Sequence, residues 1–134
     1  MDLKEQNIII FGANSYIAKK IIPNLKFKKI ICISKNLKIK KKNVIIYKDY
    51  ENNQLAINKF LKKKPSAIFF NNFNSDNLIF HKNTEDLKKE IEGSVFSVYE
   101  NARLLCKNLI HNKGGSLIFV GSSRGLSSDV GISG

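Results

Sequence analysis

At 134 residues the chain is long enough to bury a core of its own and short enough to be one domain, and its apolar share of 43% with nine Phe fits a globular fold. No apolar stretch reaches membrane length, and the charged start Asp2-Leu-Lys-Glu5 runs straight into an apolar run without a signal-peptide core, so a cytoplasmic protein with no membrane partner is expected. The formal charge of +12 would suit nucleic acid, but Arg103 and Arg124 are the only arginines and no aromatic residues are interleaved with the lysines, which argues for solvated lysine-rich faces instead.

In chain order, Asn7 to Phe11 is a short, β-branched apolar run of the kind that forms a strand buried on both faces. It stops at Gly12. Beyond Gly12-Ala-Asn14-Ser15, the residues Ile17, Ile21, Ile22 and Leu25 recur at helical spacing, so a helix capped by Ser15 or a neighbour is expected, with its positive end at the mouth of the strand. A glycine turn feeding a helix N-terminus favours phosphate, although a plain strand-turn-helix junction reads the same way.

Ile30 to Ile33 is a second strand and Val44 to Tyr47 a third, separated by a basic loop from Lys35 to Lys42. A short helix is expected over Gln54 to Lys63, with Leu55, Ile57, Phe60 and Leu61 apolar, stopped before Pro65; Ser66 to Phe70 is the fourth strand. After a polar stretch, Asn83 or Thr84 caps a long helix with the stripe Leu87, Ile91, Val95, Val98, Ala102, Leu105 and Leu109, ended by Lys113-Gly114-Gly115. Gly93 inside it predicts a bend or close packing. Leu117 to Val120 is the fifth strand. Cys32 in an apolar run and Cys106 on an apolar helix face predict two buried thiols, and His81 and His111 lack ligand spacing, so no metal site is expected.

In an open parallel sheet, ligands bind beyond the carboxyl ends of strands. All five ends here are polar: Gly12, Ser34-Lys35, Asp49, Asn71-Asn72 and Ser122-Ser123. In these motifs the chain resembles the short-chain dehydrogenase/reductase family, whose first loop reads Thr-Gly-x-x-x-Gly-x-Gly, whose fourth strand ends Asn-Asn-Ala-Gly and whose fifth ends Ser-Ser. Here the stretches read Phe11-Gly12-Ala-Asn-Ser-Tyr16-Ile-Ala18, Asn71-Asn72-Phe73-Asn74 and Gly121-Ser122-Ser123. Tyr16 and Ala18 replace two glycines, and the Tyr16 ring either covers a pyrophosphate or crowds it.

The resemblance implies a Rossmann-type doubly wound α/β fold with a parallel sheet of order 3-2-1-4-5, ending after strand five. It further implies that Gly12 and the N–H groups of Ser15, Tyr16 and Ile17 hold a pyrophosphate, that Asp49 hydrogen-bonds the adenine, that Asn71 and Asn72 order the fourth strand and touch the ribose, and that Asn14, Tyr50 and Phe73 are further cofactor-binding residues. Ser122, or Ser123 after a shift of one, matches the catalytic serine. The helix asparagine of the family has no counterpart at Ile91 or Glu92, and its Tyr-x-x-x-Lys would begin at about position 135.

The function so implied is hydride transfer between a nicotinamide dinucleotide and a carbonyl or alcohol substrate, with this chain a truncated and inactive part of the enzyme. Ser34-Lys35-Asn36 offers a hydroxyl and an ammonium but no carboxylate where the second strand ends, which favours NADP over NAD. The alternative is a non-catalytic nucleotide-binding or partner-binding module that self-associates through the long helix and the edge of strand five.

Overall fold

The computed structural model describes residues 5–61, 66–70, 83–91, 96–111 and 114–120. In chain order these form β1 (Asn7–Phe11), α1 (Tyr16–Ile21, running on into a 3-10 turn Ile22–Asn24), β2 (Lys29–Ile33), β3 (Val44–Tyr47), a 3-10 turn Glu51–Asn53, α2 (Gln54–Asn58), β4 (Ser66–Phe69), α3 (Thr84–Ile91), α4 (Ser97–His111) and β5 (Ser116–Phe119). All strand pairings are parallel, in the order β3-β2-β1-β4-β5. This is the order the sequence predicts.

Register explains why the strands are apolar throughout. Ile45, Ile31, Ile9, Ala67 and Leu117 form one row across the sheet, while Ile46, Cys32, Ile10, Ile68 and Ile118 form the next. Successive rows point to opposite faces, and on the central strands β1 and β2 both faces are covered. On one face Ile9, Ile31 and Ala67 pack with Ile57 and Leu61 around α2 and with Leu105 and Leu109 of α4. On the other, Ile8, Ile10, Ile30 and Cys32 pack under Ala18 and Ile22 of α1 and under Leu37.

Three details differ from expectation. The inner face of α1 is Ala18, Ile22 and Leu25, while Ile17 and Ile21 point outward at 52% and 38% exposure. Both stripes have helical spacing, and the small Ala18 side chain lets α1 lie close to the sheet. The helix expected from Gln54 is shorter, and Leu55 is 86% exposed. The basic loop between β2 and β3 is part of the core cover: Leu37 is buried, Ile39 packs beside it, and the Lys41 ammonium donates to the carbonyls of Leu25 (2.7 Å) and Ile22 (3.4 Å), tying the loop to the end of α1. In α4 the stripe Val98, Ala102, Leu105 and Leu109 packs inward as read, and Gly114 (φ +100) donates its N–H to the Leu109 carbonyl. The bend expected at Gly93 lies outside the described residues.

Cys32 is fully buried, whereas Cys106 is only half-buried, against the expectation of two buried thiols. Burial pushes the Cys32 thiol from an ordinary 9.0 up to about 12. A group whose folded pKa is raised contributes stability that is fully present below the unfolded value and lost as pH climbs toward the folded one. The folded state is therefore expected to weaken between pH 9.0 and about 12. Urea unfolding at about pH 7.5 and about pH 10.5 should show a larger loss for the parent than for Cys32→Val, which fills the same space without a titrating group. Equal losses would show that the thiol ionises at no folding cost.

Candidate functional site

The pairing of Phe11 with both Ile33 and Phe69, of Ile33 with Tyr47, and of Phe69 with Phe119 brings all five strand ends to one edge of the sheet. Hydrogen bonding continues one residue further: Phe70 N–H donates to the Phe11 carbonyl (2.9 Å), Val120 to Phe69 (3.0 Å), Ser34 to Tyr47 (2.9 Å) and Ala13 to Ile33 (3.4 Å). The residues that follow the strands therefore leave the sheet side by side.

Gly12 makes the first turn. Its φ of +68 is a left-handed conformation, and a Cβ there would lie 2.1 Å from the Phe70 carbonyl oxygen, so no other residue fits. The Gly12 carbonyl accepts from Ser15 N–H at 3.0 Å. Ser15 is the cap, its hydroxyl accepting from Ala18 N–H at 3.2 Å and its carbonyl from Lys19 N–H at 3.0 Å. The amides of Tyr16 and Ile17 begin α1, where a helix has no internal acceptors for its N–H groups. No acidic side chain stands between Phe11 and Ile21 to repel an anion. Tyr16 is 75% exposed, and the Lys20 ammonium lies 5.4 Å from its ring centroid. This is also the only Tyr-x-x-x-Lys spacing in the chain, and it stands on α1 and not after β5.

At the other strand ends, Ser34 is half-buried and Lys35 exposed, both at the close of β2. Asp49 is half-buried, and its carboxylate oxygen Oδ1 accepts from Asn52 N–H at 2.8 Å. Tyr50, expected beside a nucleotide, is fully buried. Its ring meets Phe11 edge to face (5.8 Å), and its hydroxyl is bonded to Asn58 and Asn108, so the side chain is part of the core and offers no ligand surface. Asn71, Asn72, Phe73, Ser122 and Ser123 lie outside the described residues.

The sequence reading missed the floor beneath this edge. Phe11 stacks on Phe69 (4.5 Å, 1° between planes) and Phe69 on Phe119 (4.8 Å, 13°), so with Tyr50 four aromatic rings run in a row under the strand ends. The signal was present, since three strands each close on Phe, but it needs the register to be read. Among the described residues no cluster of His, Cys, Asp or Glu is placed to hold a metal, and no helix is long and apolar enough to cross a membrane.

No family model and no curated protein matches the chain. Among solved structures it is similar to ElxO with NADP bound (TM-score 0.74, 19% identity, 96% of this chain and 60% of that one). It is also similar to a short-chain dehydrogenase from Leptospira borgpetersenii with bound NAD+ (0.76, 12%, 93% and 54%) and to a short-chain dehydrogenase family protein from Francisella tularensis (0.71, 18%, 96% and 55%). The chain has the short-chain dehydrogenase fold. It spans only 54–60% of the length of these three relatives. In that fold the strand order seen here brings the glycine turn, the end of β2 and the Asp49 turn to the same edge.

Proposed function

We propose that the chain binds a nicotinamide dinucleotide, NADP in preference to NAD, and is the cofactor-binding part of an oxidoreductase acting on a carbonyl or alcohol. The observation that carries this reading is the convergence of Gly12, Ser34-Lys35 and Asp49 at one sheet edge, with the acid-free first turn of α1 beside them. The amides of Tyr16 and Ile17 hold the pyrophosphate, and Asp49 receives the adenine. Asn71 and Asn72 are the residues proposed to touch the ribose, Phe73 is a further cofactor residue, and Ser122 holds the substrate oxygen. When bound, the nicotinamide ring supplies or accepts the hydride.

Reduction of a carbonyl also needs a proton donor, worth about 10² to 10⁴ in rate. No tyrosine-lysine pair follows β5 within these 134 residues, so purified chain is expected to bind without turnover.

The choice of dinucleotide rests on Lys35, which can meet a 2′-phosphate with a charge-assisted hydrogen bond. Calorimetric titration should show NADP bound more tightly than NAD, and Lys35→Glu should cut the NADP affinity by about tenfold or more, the worth of one such bond. Equal affinities, unmoved by Lys35→Glu, would exclude this selectivity. No saturable binding of either would exclude the cofactor reading.

A second reading is favoured by the apolar residues left outside: Phe96, Tyr99 and Ile110 on the α4 side, and Ile118 and Phe119 on β5, are each 47–76% exposed. A non-catalytic module that pairs with a second copy through the outer side of α4, with the edge of β5 beside it, fits them. Sedimentation should then find a dimer that Tyr99→Glu dissociates, and a monomeric parent protein at high concentration would dismiss it.

A further inference from the structure

Behind Asp49 a small polar network sits in the otherwise apolar cluster between the sheet and α4. The Tyr50 hydroxyl donates to Asn58 Oδ1 (2.9 Å), and Asn108 Nδ2, from the last turn of α4, donates to the Tyr50 hydroxyl oxygen and lies 3.4 Å from Gln54 Oε1. Burial raises the Tyr50 pKa, which keeps the phenol protonated and able to donate. A phenylalanine and a leucine would fill this space without desolvating polar groups, so the network adds specificity of position more than stability.

What it positions is the neighbouring turn. Tyr50 follows Asp49 directly. Asp49 Oδ1 accepts from Asn52 N–H and its carbonyl from Asn53 Nδ2, both at 2.8 Å, which leaves Oδ2 without a partner among the described residues. We infer that Asn108 is a positioning residue: through the Tyr50 hydroxyl it locks the turn after β3 to α4 and so presents the Asp49 carboxylate to the adenosine end of the dinucleotide. This rests on the dinucleotide reading above.

The test compares the parent with the double variant Tyr50→Phe/Asn108→Leu, which removes both partners of the Asn108–Tyr50 bond together, while Asn58 and Gln54, which lose a partner each, are only half-buried and can turn to water. Leu105→Ala, one turn earlier on α4, serves as a destabilised control. Hydrogen exchange read without ligand should quicken about fivefold at the amides of Asn52 and Asn53 in the double variant, and ADP-ribose should bind about fivefold more weakly, the worth of one neutral hydrogen bond. Amides of β1 and α1 should be unaffected, and the control should melt earlier without the local change.

A folded double variant with parental exchange at Asn52 and Asn53 overturns the lock. Quickened exchange with parental ADP-ribose affinity overturns the adenosine role. A parent that does not bind ADP-ribose overturns the dinucleotide reading itself, and with it that role, while the exchange result still reports on the lock.

Discussion

Gly12→Ala is expected to cost about 3–5 kcal/mol, a large share of the stability of a domain this size. Two causes add. Holding an L residue at φ +68 costs about 1–2 kcal/mol. The added Cβ would stand 2.1 Å from the Phe70 carbonyl oxygen, a backbone atom that moves only if β1 and β4 separate at their ends. That separation strains the 2.9 Å bond from Phe70 N–H to the Phe11 carbonyl and displaces the turn that offers the amides of α1. Thermal melting by circular dichroism should show a fall of well over ten degrees or no cooperative melt, and any folded fraction should have lost dinucleotide affinity. A melt within a few degrees of the parent would show that the turn relaxes without disturbing the strands.

The second large effect is expected at Phe69. It is 2% exposed and lies between Phe11 and Phe119 in the aromatic row, stacked on both. Phe69→Ala removes the ring from the middle of the row, and truncations of this kind cost about 3–5 kcal/mol. The cavity opens between Phe11 and Phe119, and because the Phe11 ring in turn meets Tyr50, the Gly12 turn and the Asp49 turn should loosen together. Phe69→Leu keeps most of the volume and should cost about 1.5 kcal/mol or less. Urea denaturation of the three proteins checks this. Similar losses for Ala and Leu would mean that volume matters little at this position and that ring stacking carries the effect.

The reading of the site was carried by turn and end residues whose roles are local. Gly12 stands where an apolar run must stop and turn, and Ser15 stands three residues before the amide it caps; both can be recognised without knowing what lies across the sheet. The resemblance implies a nucleotide contact at Asp49, and the structure adds a local duty as the acceptor for Asn52 N–H, an Asx-type bond that short polar side chains make at turns. The resemblance implies a cofactor role for Tyr50 that the structure overturns, since its side chain is fully buried. Its partner Asn108 is 58 positions away, and only their meeting makes a buried phenol tolerable.

By itself the sequence determined the five strands and the polar character of their ends, because short β-branched runs are broken there by turn residues, while the order of the parallel sheet came from the resemblance to the short-chain dehydrogenase/reductase motifs. It also determined the inner stripe of α4, where Val98, Ala102, Leu105 and Leu109 follow three- and four-residue steps. The inner face of α1 was decided only in the tertiary structure: Ile17 and Ile21 compete with Ala18 and Ile22, and the small alanine wins because it permits close approach to the sheet. The aromatic row is likewise a tertiary product, since Phe11, Phe69 and Phe119 stack only when three strands distant in sequence come into register. So is the use of the lysine-rich loop as core cover, in which Leu37 and Ile39 pack beside α1 on the same sheet face and Lys41 donates to the Ile22 and Leu25 carbonyls at the end of that helix.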